Sequence, residues 1–245
     1  MSIRNSHREK IDISIVIPAK NEAKRLPRFL MAVFDYCNKS SKKYEIIVVD
    51  DGSTDETYEE ALELKKLYLS LQVPSLKRNR GKGFAVKYGI LRARGDIVLF
   101  IDADGSTLPD EIESNIRYFQ EGYDIIIGSR NIKGKKQLIK ARIHRRLMGK
   151  IFNFCVHRFL LKEIGDTQCG FKMFRQEIIK PLFSQVKIYG FGFDMEVLYL
   201  ANKLGYKIKE VPIRWRHVRG SKVNVLTDSL RMFFNIFQIR IWHGK

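Results

Sequence analysis

The sequence predicts an α/β domain with a mostly parallel sheet flanked by helices, and three observations predict it. Short runs rich in Ile and Val, each of strand length, recur up to Arg130. Helical stretches separate them, and regular strand-helix alternation is the pattern of a parallel sheet. Polar clusters close each run, where an open parallel sheet binds its ligands.

The first run, ISIVIPA (Ile13–Ala19), is apolar at nearly every position and reads as a strand buried on both faces. It delivers Pro18, Ala19, Lys20, Asn21 and Glu22, and a helix is expected from Glu22 to Tyr36. YEIIVVDD (Tyr44–Asp51) is the second strand and closes on Asp50 and Asp51. In the DGSTDE that overlaps its end, Ser53 and Glu56 have capping-box spacing before a helix expected from Asp55 to Leu71. A third helix, Gly83 to Arg94, leads into DIVLFIDAD (Asp96–Asp104), whose end carries Asp102, Asp104 and Ser106. Ser106 or Thr107 can cap the next helix, Leu108 to Glu121, with Pro109 in its first turn. YDIIIGSR (Tyr123–Arg130) ends on Ser129 and Arg130. Beyond it the texture changes: Lys133 to Lys162 holds many Lys and Arg and no acid, a DTQCGFK loop follows, and KIKEVPIRW (Lys207–Trp215) reads as one more strand.

Composition sets limits on function. The 245 residues, 44% of them hydrophobic, can fill a sizeable core. The balance of 45 Lys+Arg against 27 Asp+Glu implies an anionic partner such as nucleic acid, a membrane surface or a phosphorylated substrate. No nucleic-acid motif is present, and acidic strand ends would repel a phosphate backbone unless a metal intervened. Cys37, Cys155 and Cys169 are odd in number and lack CxxC spacing, which argues for a reducing setting without a disulfide framework or zinc site. The polar start, MSIRNSHREKID, and the lack of any apolar window of about 18 residues predict neither signal peptide nor spanning helix. Walker A and dinucleotide-binding motifs are missing. The Asp102, Asp104, Ser106 spacing imitates an EF-hand opening, but Thr107 replaces its glycine and Pro109 interrupts it.

Two carboxylates one residue apart need a reason. An N-cap requires one acceptor, and a second carboxylate adds repulsion unless a cation sits between them. Asp102, Asp104 and Ser106 therefore predict a hard oxygen site for Mg²⁺ or Mn²⁺, which completes its shell with water and substrate phosphates.

Taken in order, IVIPAKNEAKRL, IIVVDDGSTDET, NRGKGFAVKYGI, DADG and GSR resemble the family 2 glycosyltransferases of GT-A fold, over Ile13 to about Lys222. Within that family DTQCGFKMF, FGFDMEVLYLA and GSK are most similar to the dolichyl-phosphate β-glucosyltransferases, with the dolichyl-phosphate mannose synthases close to them. The resemblance implies inverting transfer of a hexose from a nucleotide sugar, UDP-glucose or alternatively GDP-mannose, to dolichyl or another polyprenyl phosphate. It places Pro18, Ala19, Asn21, Glu22, Asp50, Asp51, Lys82, Asp102, Ala103 and Asp104 at the donor. Ser106 departs from the pattern, standing where many mannose synthases have a glutamine ligand.

Charge builds on a departing β-phosphate, so fixed cations belong beside it. Arg130 and Arg145 are candidates to act there with Asp102 and Asp104, while Lys172, Arg219, Ser221 and Lys222 join both arginines as candidates for the acceptor phosphate. A phosphate acceptor, with second pKa near ~6, needs no general base. A hydroxyl acceptor would need one, from Asp166, Asp194 or Glu196. His144, His157 and His217 read as surface or packing residues.

Residues 1–222 are expected to form the catalytic domain, with an amphipathic basic helix inserted at about 140–162. Residues 223–245 carry a second apolar stripe, Leu226, Leu230, Phe233, Phe234, Phe237 and Ile241, and read as a membrane-interface helix. Together the helices predict peripheral attachment to an anionic membrane, on its cytoplasmic face.

Overall fold

The apolar runs form the predicted strands, β1 (Ile13–Ala19), β2 (Tyr44–Asp50), β4 (Ile97–Ile101), β5 (Ile125–Ser129) and β7 (Ile208–Pro212). Two more strands join them, β3 (Leu71–Gln72) and β6 (Phe171–Arg175). The structure is a computed structural model that describes residues 10–130, 156, 158–216, 218 and 225–244. Its sheet has the order β3, β2, β1, β4, β6, β5, β7. β6 alone runs antiparallel, between β4 and β5.

Burial explains why these runs are strands. Ile15 and Ile17 pack into one core layer and Val16 into the other, because successive side chains leave a strand on opposite faces. Helix α1 (Leu26–Lys39) covers the first layer with Leu30, Val33 and Phe34. The second is filled by α3 (Lys82–Ile90), α6 (Gln176–Phe183), α7 (Phe193–Lys203) and α8 (Val225–His243). Ile236 and Ile239 of α8 are fully buried there, so this helix shares the core of the catalytic sheet.

Several boundaries differ from the sequence reading. The helix expected from Glu22 begins at Leu26, because the chain at Asn21 turns through a positive φ of 51°. Helix α2 (Thr57–Leu67) ends before Leu71, which pairs with Ile46 of β2. The Ser53–Glu56 capping box does not form: Glu56 caps nothing, and Ser53 Oγ accepts a hydrogen bond from the Asn21 amide at 2.9 Å. The helix expected from Leu108 to Glu121 is split into α4 (Glu111–Asn115) and α5 (Arg117–Gln120). Neither Ser106 nor Thr107 caps it; Thr107 bridges to Trp215. The DTQCGFK loop gives way to β6 at Phe171. The basic helix expected at about 140–162 lies largely outside the described residues.

Candidate active site

The sheet order reverses direction between β1 and β4, the place where an open α/β sheet opens a crevice at its carboxyl edge. A cleft of about 850 Å³ lies there. Pro18, Ala19, Lys20 and Glu22 line it after β1, Asp51 after β2, and Asp102, Ala103 and Asp104 after β4. Lys82 adds a cation from α3, and residues 188–192 form a rim. Arg231, Asn235, Gln238 and Trp242 of α8 supply a further wall.

Hydrogen bonds between loops fix the strand-end groups. The Asp51 amide donates to Ala19 O at 2.8 Å, tying β2's end to β1's. Asp51 accepts from the amides of Arg80 at 2.7 Å and Gly81 at 2.9 Å. Burial pushes its carboxyl above the usual carboxylate range, against the pull of these amides and of Lys20. Glu22 holds Arg25 through two bonds of 2.6 Å. Asn21 Oδ1 accepts from Thr54 N at 2.8 Å, so this residue braces the loop after β2.

Asp102 and Asp104 stand in a tighter frame. Lys82 Nζ lies 2.7 Å from Asp102 Oδ1. Burial disfavours the Lys82 ammonium, but Asp102 and Asp194 outweigh that and hold its pKa above the ordinary value. The Asp102 amide donates to Gly170 O at 3.1 Å, and any Cβ at position 170 would overlap the Asp102 carboxylate. Glycine is therefore required by close approach. Asp104 Oδ1 accepts from Ser106 N at 2.8 Å, and Arg216 clamps the same turn through Gly105 O and Ser106 O.

Two carboxylates fit a divalent cation that takes its remaining ligands from diphosphate and water. Among the described residues no group of three or more His, Cys, Asp or Glu side chains is placed to hold a metal ion. Ser106 does not line the cleft; it is buried, with its backbone engaged by Asp104 and Arg216.

Other candidates do not line the cleft. Both Asp50 oxygens are engaged, by Ser53 N at 3.1 Å and Ser75 Oγ at 2.7 Å. The Arg130 guanidinium binds Asp166 through Nε and Nη2, both at 2.8 Å. Burial opposes both charges; their pairing outweighs it, raising the Arg130 pKa and lowering that of Asp166. Lys172 is 1% exposed and donates to Asp194 at 2.5 Å and Cys169 O at 2.7 Å. Glu196 accepts from the amides of Lys187 and Ile188 and pairs with His243 Nε2 at 2.7 Å, bracing the rim loop against α8. None of Arg130, Asp166, Lys172, Asp194 and Glu196 lines the cleft. Arg145, Arg219, Ser221 and Lys222 lie outside the described residues, as do His144, His157 and His217.

The sequence reading missed Arg25, Asn79 and the rim at 188–192 as parts of this cleft. Glycines at 81 and 192 were the available signal: a Cβ at Gly81 would strike Tyr189 O, and one at Gly192 would strike Asn235 Oδ1.

A Rossmann-like sheet of this order, with helices on both faces and a cleft at its switch point, defines a GT-A domain. Solved structures agree on the fold. Glucosyl-3-phosphoglycerate synthase from Mycobacterium tuberculosis, in complex with phosphoglyceric acid, superposes with a TM-score of 0.71 at 21% identity, over 96% of this chain and 80% of that one. The same enzyme with Mn²⁺, UDP-glucose and phosphoglyceric acid gives 0.70 at 21%, over 94% and 79%. The family model for glycosyl transferase family 2 matches residues 14–183. Dolichyl-phosphate beta-glucosyltransferase of Dictyostelium discoideum is 38% identical over 95% of this chain and 75% of its own length. The human protein of that name is 35% identical over 94% and 75%. The chain belongs to glycosyl transferase family 2 and is a hexosyltransferase.

Proposed function

We propose that this protein transfers glucose from UDP-glucose to dolichyl or another polyprenyl phosphate at a membrane surface, with inversion at the anomeric carbon. The relatives named above support the donor sugar and the acceptor class. One observation carries the phosphate acceptor: Asp166, Asp194 and Glu196, the bases the sequence offers, are all buried, partnered and absent from the cleft lining, which leaves Asp228 of α8 as the cleft carboxylate outside the donor set. A phosphate oxygen, already deprotonated near neutrality, attacks C1 without help from a base. The bond from C1 to the β-phosphate oxygen breaks, and its electron pair leaves with UDP.

Glu22 and Asp51, which line the cleft, would meet the nucleoside, and Lys82 beside Asp102 would offer the diphosphate fixed positive charge. Asp102 and Asp104 would hold Mg²⁺ or Mn²⁺, which supplies further charge to stabilise the leaving diphosphate.

Membrane attachment rests on α8. Leu230, Phe233, Phe237 and Ile241 are exposed along one stripe, and the chain's net charge of +18 favours an anionic surface. Among the described residues no helix is long and apolar enough to cross a membrane.

A donor panel tests the reading: UDP-glucose and GDP-mannose, each with undecaprenyl phosphate, with Mg²⁺, with Mn²⁺ and with a chelator. Metal-dependent transfer fastest from UDP-glucose is expected. Faster transfer from GDP-mannose replaces the donor. Efficient glucosylation of a free sugar, lost in Asp228→Asn, replaces the acceptor class, because Asp228 is the α8 carboxylate in the cleft.

A further inference from the structure

We infer that Arg231 and Phe234 of α8 form the acceptor subsite, with Arg231 binding the lipid phosphate and Phe234 carrying the first prenyl units out of the cleft. The inference rests on the phosphate-acceptor reading and adds the residues that recognise it.

Helix α8 presents three faces. Ile236, Ile239 and His243 are buried in the core. Asp228, Arg231, Asn235, Gln238 and Trp242, alternating at three and four residues, line the cleft. Leu230, Phe233, Phe237 and Ile241 share a third face and are exposed, with Phe237 beside the Phe159 ring. Phe234 belongs to the edge between the last two faces: it lines the cleft and is 63% exposed. A molecule with an anionic head and a long apolar tail matches that edge, its head in the cleft and its tail leading onto the third face.

The charges of the cleft select the head's position. Lys20 donates to the carbonyls of Asp51 and Gly52, Arg25 is paired with Glu22, and Lys82 with Asp102. Arg130 and Lys172 are paired with Asp166 and Asp194 and do not line the cleft. Arg231 lines the cleft and makes no hydrogen bond or ion pair among the described residues. Its planar fork suits two phosphate oxygens.

The test is steady-state kinetics of the whole protein with UDP-glucose and either undecaprenyl phosphate or the short, soluble citronellyl phosphate. Arg231→Ala is expected to raise the KM for both phosphates about tenfold or more, as loss of a charge-assisted hydrogen bond does. Arg231→Lys should recover part of that loss, and the KM for UDP-glucose should stay within about twofold, the range of experimental scatter for a group outside the donor site. Phe234→Ser should raise the KM for undecaprenyl phosphate. Thermal melts and UDP binding check that each variant is folded. An unchanged acceptor KM in Arg231→Ala, with transfer intact, overturns the subsite. So does a parallel rise in both KM values, which would put Arg231 at the donor. Absence of transfer to either phosphate by the unsubstituted protein removes the acceptor reading itself, and the subsite with it, before any variant is compared.

Discussion

On the strand-end side of the cleft each carboxylate has its geometry set by a neighbour. Asp51 is held by two amides, Asp102 by Lys82, Asp104 by the Ser106 amide, and Glu22 by Arg25. Along α8 the side chains facing the cleft are looser: Arg231 is exposed, and Phe234 and Trp242 are 63% and 42% exposed. The contrast follows from the backbones that carry them. Three strands locked in register deliver their ends to fixed points, so loops there can hold one another through short bonds. A single helix anchored by one buried face leaves its other faces open to a ligand. Preorganised charge suits a diphosphate whose transition state must be met without rearrangement, whereas an adaptable apolar face suits a flexible prenyl chain.

The sharpest way to break this comparison is Asp104→Asn. On the proposed reading kcat falls about 100-fold or more at saturating Mg²⁺ or Mn²⁺, the scale of losing one preorganised charge interaction. The melting temperature should hardly move, since Asp104 makes one local hydrogen bond, to Ser106 N. Near-normal turnover would show that the strand side does not carry the chemistry.

Arg130→Ala comes next, and tests whether the ion pair with Asp166 is structural. Asp166 would remain buried without its partner, and stability should fall by about 2–3 kcal/mol, discounted from a fully buried pair because Arg130 is partly exposed. The pH dependence has a definite sign. Because Asp166 titrates below its ordinary value, its contribution is present above about pH 4 and is lost as pH falls through the folded-state value. The deficit of the variant, read from urea unfolding, should be full at pH 7 and shrink on the acid side of pH 4.

Gly170→Ala sharpens the strand side further. The added methyl displaces the Asp102 carboxylate, so stability falls by about 1–3 kcal/mol, the usual range for overpacking, and kcat/KM falls with it. An active, fully stable variant would mean that Asp102 needs no fixed position.

Phe233→Asp has the smallest expected effect and addresses the helix side. Co-sedimentation with anionic liposomes should weaken about tenfold, the equivalent of one aromatic side chain's burial, while UDP affinity is retained. Added salt should weaken binding of both forms. Indifference of the unsubstituted protein to liposomes at low salt would remove the membrane face altogether.

The sequence by itself determined the parallel core and the gathering of carboxylates at one edge. Runs such as ISIVIPA and YEIIVVD are apolar at most positions because both faces are buried, and strand-helix alternation forces their carboxyl ends to the same side. The carboxylates of Asp51, Asp102 and Asp104 inherit their meeting from that rule, so a local pattern was enough to bring them together. Tertiary structure decided the rest. Phe171–Arg175 enters the sheet antiparallel although it carries Lys172, whose charge is tolerated there only because Asp194, 22 residues away, comes within 2.5 Å. The pairing of the Arg130 fork with Asp166, 36 residues further on, was likewise invisible in the sequence. Residues 225–243 showed amphipathic spacing but not which face meets core, cleft or solvent. That division depends on how the helix packs against Gly192 and the buried residues of α7, contacts between segments distant in the chain that no local periodicity encodes.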